Sequence, residues 1–278
     1  MADWQAWIGR TSASQAWFDP AQANRMAATL DRAPGFRAGD PLPPGWHWLF
    51  FHDVVPAAQL GPDGHPALGV VLPPVPLPRR MWAGGSLAFH ALLRLGDTAE
   101  RVTTVRAITP KTGRSGTLFF VTVEHALRSG GALCLIEEQT LVYRELAPLV
   151  APAQPAPEQA DYAQRYQLDS TALFRYSALT FNGHRIHYDL DYARVAEGYP
   201  NLVIHGPLIA TLLLDLYARQ GRPLARFRYQ ARSPLFLPHP FSVGGKAGAH
   251  DRLWAADHAG NLAMEAEAFT DSPVGEGK

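Results

Sequence analysis

FNGHRIHYDLDYARVAEGYPNLVIHGPLIATLLLDL, residues 181–216, is the stretch whose reading decides the fold. It is a polar loop, a short helix, a turn and a long apolar helix. Asp189 precedes the helical run 190–197 and is placed to cap it, and Gly198 is placed to stop it. His205-Gly206-Pro207 opens the second helix, where proline is suited to the first turn because its missing N–H has no intrahelical partner there. Leu208, Leu212 and Leu216 recur at i+4 with Ile209 and Leu213 beside them, and Thr211, Asp215 and Arg219 form the only polar stripe. A helix this apolar is a buried one.

The rest of the chain supplies a sheet for that helix to be buried against. From residue 102 the pattern is β: a strand over 102–108 ending at Pro110, an aromatic and β-branched strand over 116–126, a turn at Ser129-Gly130-Gly131 and a return strand over 132–144. After the long helix come strands over 225–232, 241–249, 252–257 and 262–270. The order strand, proline turn, strand, hairpin, strand therefore occurs at 102–144 and again at 225–270, an architectural repeat. Upstream, residues 1–35 are expected to be a helical lead-in, with a helix from Asp19-Pro20 to Leu30 ended by Pro34-Gly35. The Pro- and Gly-rich segment 36–80 holds one expected strand at 47–54, and another strand is expected over 86–95. Trp46, Trp48, Phe50 and Phe51 are read as core. The Ala/Pro-rich run 148–161 is the linker candidate between an N-terminal half, 1–147, and a C-terminal half, 162–278. An antiparallel sheet wrapped around one long helix is the hotdog arrangement. The expected fold is α+β, a double hotdog whose N-terminal half is a degenerate copy without a comparable central helix.

Composition limits the function classes. The chain has 278 residues, 47% of them apolar, and zero formal net charge, so a large core is available and nucleic acid is not the expected partner. The single cysteine, Cys134, cannot form an intrachain disulfide. The start MADWQAWIGR lacks the pattern of a signal peptide, and no run approaches the ~20 apolar residues of a membrane span. The expectation is a cytoplasmic protein that does not enter a membrane.

The loop Asn182-Gly183-His184-Arg185-Ile186-His187-Tyr188-Asp189 carries the chemistry, and four readings of it stay open: a polar loop whose histidines bond the backbone, a His-x-x-His metal site, a catalytic site with His187 as general base, and a binding site without catalysis. Against metal, Arg185 places a cation between the two histidines and no second ligand cluster is evident. Lys111-Thr112-Gly113-Arg114-Ser115-Gly116 is a phosphate-friendly turn, but no helix follows it, so it is not a P-loop.

The stretch resembles the hydratase-2 motif of the MaoC-like (R)-specific enoyl-CoA hydratases, Asp-x-Asn-Pro-x-His-x-Asp followed later by a His-Gly that opens the central hotdog helix. His187, Asp189, His205 and Gly206 match it; Asn182 stands where the family has its catalytic Asp, His184 replaces its Asn and Arg185 its Pro. FNGHRIHYD, with RRMWAGGS and KTGRSG upstream, is similar to the branch holding the mesaconyl-C4-CoA and itaconyl-CoA hydratases and the mitochondrial-type hydroxyacyl-thioester dehydratases. The resemblance implies a hydro-lyase that adds water to an α,β-unsaturated CoA thioester. It implies His187 as base, Gly206 N–H as donor to the thioester oxygen and Asn182 as the group that orients water. His184, His205, Arg185, Arg228 and Arg232, with Lys246, are the candidate substrate ligands, an arginine being needed for the free carboxylate of a short dicarboxylic acyl group such as mesaconyl-C4-CoA or itaconyl-CoA giving citramalyl-CoA. It implies a place in itaconate degradation. It implies no cofactor beyond the CoA of the acyl-CoA substrate, no metal, and a homodimer as the one protein partner to look for. A thioesterase on the same fold, or an acyl-CoA-binding module without catalysis, are the rival functions.

Overall fold

The structure, a computed structural model, describes residues 3–113, 116–145 and 153–270. The first half contains β1 (Thr11–Trp17), α1 (Pro20–Thr29), β2 (Arg79–Phe89), β3 (Thr98–Gly113), β4 (Gly116–Ser129) and β5 (Ala132–Arg144). The second contains β6 (Tyr162–Tyr166), α2 (Ser170–Leu179), α3 (Gly206–Ala218), β7 (Arg226–Ala231), β8 (Phe241–Lys246), β9 (Asp251–Ala256) and β10 (Leu262–Phe269). The strands form one ten-stranded sheet in the order β1-β3-β4-β5-β2-β7-β10-β9-β8-β6. Each half has the same internal order, first-third-fourth-fifth-second, and the two second strands, β2 and β7, join antiparallel at the centre. That is a double hotdog.

α3 is the apolar helix read from the sequence, and every residue from Leu208 to Tyr217 is buried. Its polar stripe is satisfied: Thr211 Oγ1 donates to Pro207 O at 2.9 Å, and Asp215 pairs at 2.6 Å with Arg32 from the other half. Among the described residues the first half has no counterpart to α3. A single 3₁₀ turn, Trp46–Leu49, fills that place, so close to α3 that a Cβ on Gly45 would lie 2.8 Å from Leu214 Cδ1. The expected strand at 47–54 is therefore wrong. Its aromatic density reflects burial, with Trp46 and Phe51 in the core and Trp48 and Phe50 packed against it, and not a pleated edge.

Other expectations shift. Residues 1–35 are not all helical: α1 is there, capped by Asp19 Oδ1 accepting from Ala21 N, but β1 precedes it. TSASQAW is a mostly exposed edge strand, too short of apolar alternation to be visible. The strand expected at 86–95 is β2, which begins at Arg79 and ends at Phe89. Its Gly84 and Gly85 are required by crowding, since a Cβ there would stand 2.7 Å from Tyr229 O or 2.1 Å from Glu138 O. β3 runs through Pro110 to Gly113 instead of stopping at residue 108. β1 covers β3 only over residues 98–104, so beyond that point one side of β3 is open and proline breaks no ladder bond. β6 and α2 were not anticipated, and the repeat is offset by one strand: 79–144 corresponds to 226–269. Of the linker expected at 148–161, residues 148–152 lie outside the described residues, as do Arg114 and Ser115 of the 111–116 turn. Residues 154–156 pair with the β9–β10 turn. Among the described residues no helix is long and apolar enough to cross a membrane.

Because Leu213 is fully buried in α3, Leu213→Ala is expected to lower the unfolding free energy by about 2–5 kcal/mol in urea titrations. A loss under about 1 kcal/mol would remove α3 from the centre of the core.

Candidate active site

The loop after α2 is shaped by its own side chains. Asn182 Oδ1 accepts from His184 N at 3.0 Å, an Asx turn that leads into the 3₁₀ turn Arg185–His187. Asp189 Oδ1 then accepts from Tyr192 N at 2.9 Å and caps the next helical turn, which ends at Gly198 with φ +71°. The chain returns through Val203, whose amide donates to Ile186 O, and His205 is the N-cap residue of α3.

His187 is buried, and its Nδ1 lies 2.7 Å from Val203 O. A carbonyl only accepts, so Nδ1 carries the proton and Nε2 is left with a bare lone pair. The ring stacks on His205, centroids 3.6 Å apart and planes at 18°. His205 is fully buried, bonded through Nε2 to Ser177 Oγ at 2.8 Å.

The first half reaches into this loop. The turn 61–66 docks on it: Arg185 N donates to Asp63 O at 2.9 Å and Arg185 Nη1 to Pro62 O at 3.1 Å. Two glycine backbones meet there. A Cβ on Gly64, which has φ +86°, would lie 2.0 Å from Gly183 O. The turn delivers an Asp–His dyad, with Asp63 Oδ2 accepting from His65 Nδ1 at 2.8 Å and Asp63 Oδ1 from His65 N at 3.1 Å. The His65 ring centroid is 4.1 Å from that of His184, and the His184 centroid is 5.4 Å from that of His187 with the two planes at 89°. His65, His184, His187 and His205 thus form a row of four imidazoles.

Burial holds all four well below the ordinary imidazole pKa. His187 falls to about 3, burial outweighing the Val203 bond. His65 falls to about 4, through burial and then the positive charge of Arg80, against the opposing pull of Asp63. His184 is lowered by burial and by its neighbours His65, His187 and Arg80, and His205 by burial and His187. For Asp63, burial pushes upward but the bonds to His65 outweigh it, leaving a carboxylate.

The row borders a cavity of about 1460 Å³, lined by His65, His184, His187, Asn182, Gly206 and Trp82 among others. Gly206 opens α3 against the Trp82 face: a Cβ there would stand 2.8 Å from Trp82 Cε3, and Trp82 in turn stacks on Tyr229 at 4.5 Å. An amide at the first helical position has no intrahelical acceptor and sits at the positive end of the helix dipole. Ligand-type atoms of Asp63, His65 and His184 also lie within 4.8 Å of one another. Asp63 and His65 satisfy each other, however, and the Arg80 charge bears on all three groups, so they form a hydrogen-bonded dyad beside an imidazole and not a cation cage.

Of the residues singled out in the sequence, Asn182, His184, His187 and Gly206 come together on the cavity. His205 stands behind His187 and does not line it. Asp189 spends its carboxylate on Arg185, at 2.7 Å, and not on His187. The candidate anion ligands are mostly misplaced. Arg185 lies over Tyr192 and is held by Asp189, Arg228 is exposed on β7, and Lys246 is exposed at the end of β8. Arg232 does line the cavity, but it is ion-paired with Glu265. Asp63, His65, Arg80 and Trp82 were missed. The one available signal was Asp63-Gly64-His65, two titratable residues around a glycine in a loop.

A bare imidazole nitrogen and a helix-terminal amide on one cavity of a double hotdog can serve a hydro-lyase, and hydratases and dehydratases are what the chain is similar to. A family model, hydroxyacyl-thioester dehydratase type 2, matches residues 45–237, and the chain belongs to that family. It is 47% identical over 247 residues, 87% of this chain and 88% of the relative, to mesaconyl-C(4)-CoA hydratase of Chloroflexus aurantiacus. It is 32% identical to the mitochondrial hydroxyacyl-thioester dehydratase type 2 of Schizosaccharomyces pombe, over 73% of this chain and 77% of that one. The fold is shared with a MaoC-like dehydratase from Phytophthora capsici, with a TM-score of 0.71 at 15% identity over 98% of each chain.

The four lowered histidines set an acid limit. Each is neutral when folded but binds a proton in the unfolded chain below its ordinary value near 6.5, so its contribution to stability is present above that pH and lost as pH falls toward its folded pKa. Each is expected to lose about 2 kcal/mol between pH 7 and pH 5. Urea midpoints at the two pH values should show a combined loss of several kcal/mol; equal midpoints would mean that the row is not held neutral.

Proposed function

We propose that this cavity catalyses reversible addition of water to an α,β-unsaturated acyl-CoA with a short, branched dicarboxylic acyl group, mesaconyl-C4-CoA giving citramalyl-CoA, as in itaconate degradation. The observation that carries the chemistry is the pairing of the bare His187 Nε2 with the free Gly206 amide on one cavity. The similarity to a mesaconyl-C(4)-CoA hydratase supports the substrate. Of the two candidate acyl groups, mesaconyl-C4 has its double bond conjugated with the thioester, so charge from the attack can reach the thioester oxygen. An itaconyl group lacks that conjugation.

In this reading His187 Nε2 takes a proton from water as the oxygen bonds to Cβ. The π electrons move to Cα and on to the thioester oxygen, where Gly206 N–H and the N-terminus of α3 stabilise the negative charge. A proton then adds to Cα and the carbonyl re-forms. Asn182 cannot exchange protons, and its Oδ1 is committed to His184 N–H; its amide N–H groups remain to hold the water. The carboxylate missing at position 182 is supplied from the other half. Asp63 backs His65, whose Nε2 is likewise bare, so the Asp63–His65 dyad is a second proton carrier on the same cavity. Residues 1–147 then do more than widen the acyl pocket of the 162–278 half.

Mesaconyl-C4-CoA should lose its enoyl absorbance with no free thiol detected; thiol release instead would indicate a thioesterase, and neither signal a binding module. His187→Ala is expected to lower kcat by ~10²-fold or more, within the range of general acid–base catalysis, and Asp63→Asn and Asn182→Ala by less, about 10-fold. Near-normal turnover by His187→Ala removes that residue from the mechanism. Equal losses at His187 and Asn182 would show that they act as a unit.

A further inference from the structure

Among the described residues three arginines and no lysine line the cavity: Arg80, Arg101 and Arg232. Two are already committed. Arg232 pairs with Glu265, and Arg101 donates to Phe51 O at 3.2 Å, lies 3.4 Å from Asp53 Oδ1 and packs over the Phe51 ring. Arg80, half-buried on β2 opposite Tyr143, acts on the Tyr143 hydroxyl and on the Asp63 carboxylate but forms no close ion pair with a described carboxylate. A guanidinium in a partly desolvated wall with no carboxylate bonded to it is stabilised when an anion arrives to meet it.

Its place along the imidazole row gives the direction. Arg80 precedes Trp82 by two residues on β2 and so shares its face of the strand, and Trp82 packs against Gly206, which sets the guanidinium roughly 7 Å along the wall from Trp82; its charge bears on Asp63, His65 and His184. Arg80 therefore stands at the His65 end, and Gly206, next to His205, at the other. With its thioester oxygen on the Gly206 amide and its β-carbon facing His187, a substrate carrying a carboxylate on that β-carbon extends the carboxylate away from Gly206, toward Arg80.

We propose that Arg80 is the carboxylate receptor of this cavity, binding the free carboxylate on the β-carbon of the acyl group through its planar fork and so selecting β-carboxylated enoyl thioesters over plain ones. The assignment rests on the hydration reading above. It replaces Arg185 and Arg228, which the fold directs elsewhere, and it places the specificity residue in the half of the chain that lacks the hydratase motif.

The test is the ratio of kcat/KM for mesaconyl-C4-CoA to kcat/KM for crotonyl-CoA, whose β-carbon carries a methyl where mesaconyl has the carboxylate and a hydrogen where mesaconyl has its methyl, with the CoA unchanged. Measured within one preparation, the ratio does not depend on how much of a variant is folded. Arg80→Gln is expected to lower it about a hundredfold, and Arg80→Lys, which keeps the charge and loses the fork, by less. Dissociation constants for the unreactive pair methylsuccinyl-CoA and butyryl-CoA make the same comparison if turnover is too slow. An unchanged ratio in Arg80→Gln overturns the assignment, and so does an equal loss for both substrates, which would put the guanidinium on CoA. A wild-type enzyme that hydrates crotonyl-CoA with no preference for the carboxylated substrate overturns it while leaving hydration intact. A wild-type enzyme that hydrates neither takes down the hydration reading and this one together.

Discussion

Burying ten successive helix residues, Leu208 to Tyr217, is the constraint from which the rest follows. A helix that apolar must be enclosed, and one sheet half with α2 and the 3₁₀ turn Trp46–Leu49 encloses it. Enclosure leaves only its ends free to meet anything polar. At the N-terminus the first amide has no partner within the helix, and the absence of a side chain at Gly206 lets the Trp82 ring approach and leaves the backbone accessible. A backbone donor facing the cavity is thus a by-product of packing. It is held rigid because moving α3 would unpack the core.

The second ingredient is neutral imidazole. In water a histidine is partly protonated near neutrality and cannot serve reliably as a base. Burial removes that ambiguity, and the Nδ1 bonds fix which nitrogen is bare: to Val203 O for His187, and to Asp63 for His65. The two anchors differ in kind. A carbonyl orients the ring, whereas a carboxylate also stabilises the imidazolium once a proton arrives. The structure therefore holds two differently tuned proton acceptors on one cavity, one from each half of the chain.

The halves share a topology and divide the work. The second keeps the central helix and the histidine loop. The first has no such helix among the described residues, and in its place a long connection between α1 and β2 carries the 3₁₀ turn and the 61–66 turn. That connection is locked to the loop it serves by backbone contacts between Gly64 and Gly183 and by Arg185 bonding to Pro62 and Asp63. Where the second half has its central helix, the first has a connection whose 61–66 turn lies on the cavity beside the histidine loop.

Much of the second half was legible in the chain itself. Asn182, His184, His187 and Gly206 fall within 25 residues, and the cap at Asp189, the stop at Gly198 and the apolar period of α3 are local signals that act over a turn or two. β6 and α2 were too short or too weakly patterned to stand out, and the 47–54 aromatics mimicked a strand because burial and β-structure favour the same residues. Asp63, His65, Arg80 and Trp82 lie about a hundred residues or more before the loop they face. Asp63-Gly64-His65 is a weak local mark and RRMWAGGS only a family likeness, and neither says what these residues face, since that depends on which strand pairs with which, and β2 meets β7 only once the whole sheet is built. Sequence alone determined the buried helix, the histidine loop and the reaction class they resemble. Tertiary structure decided which carboxylate backs an imidazole and which arginine is left without a bonded carboxylate, because those are properties of neighbours in space that close only when both halves are folded against each other.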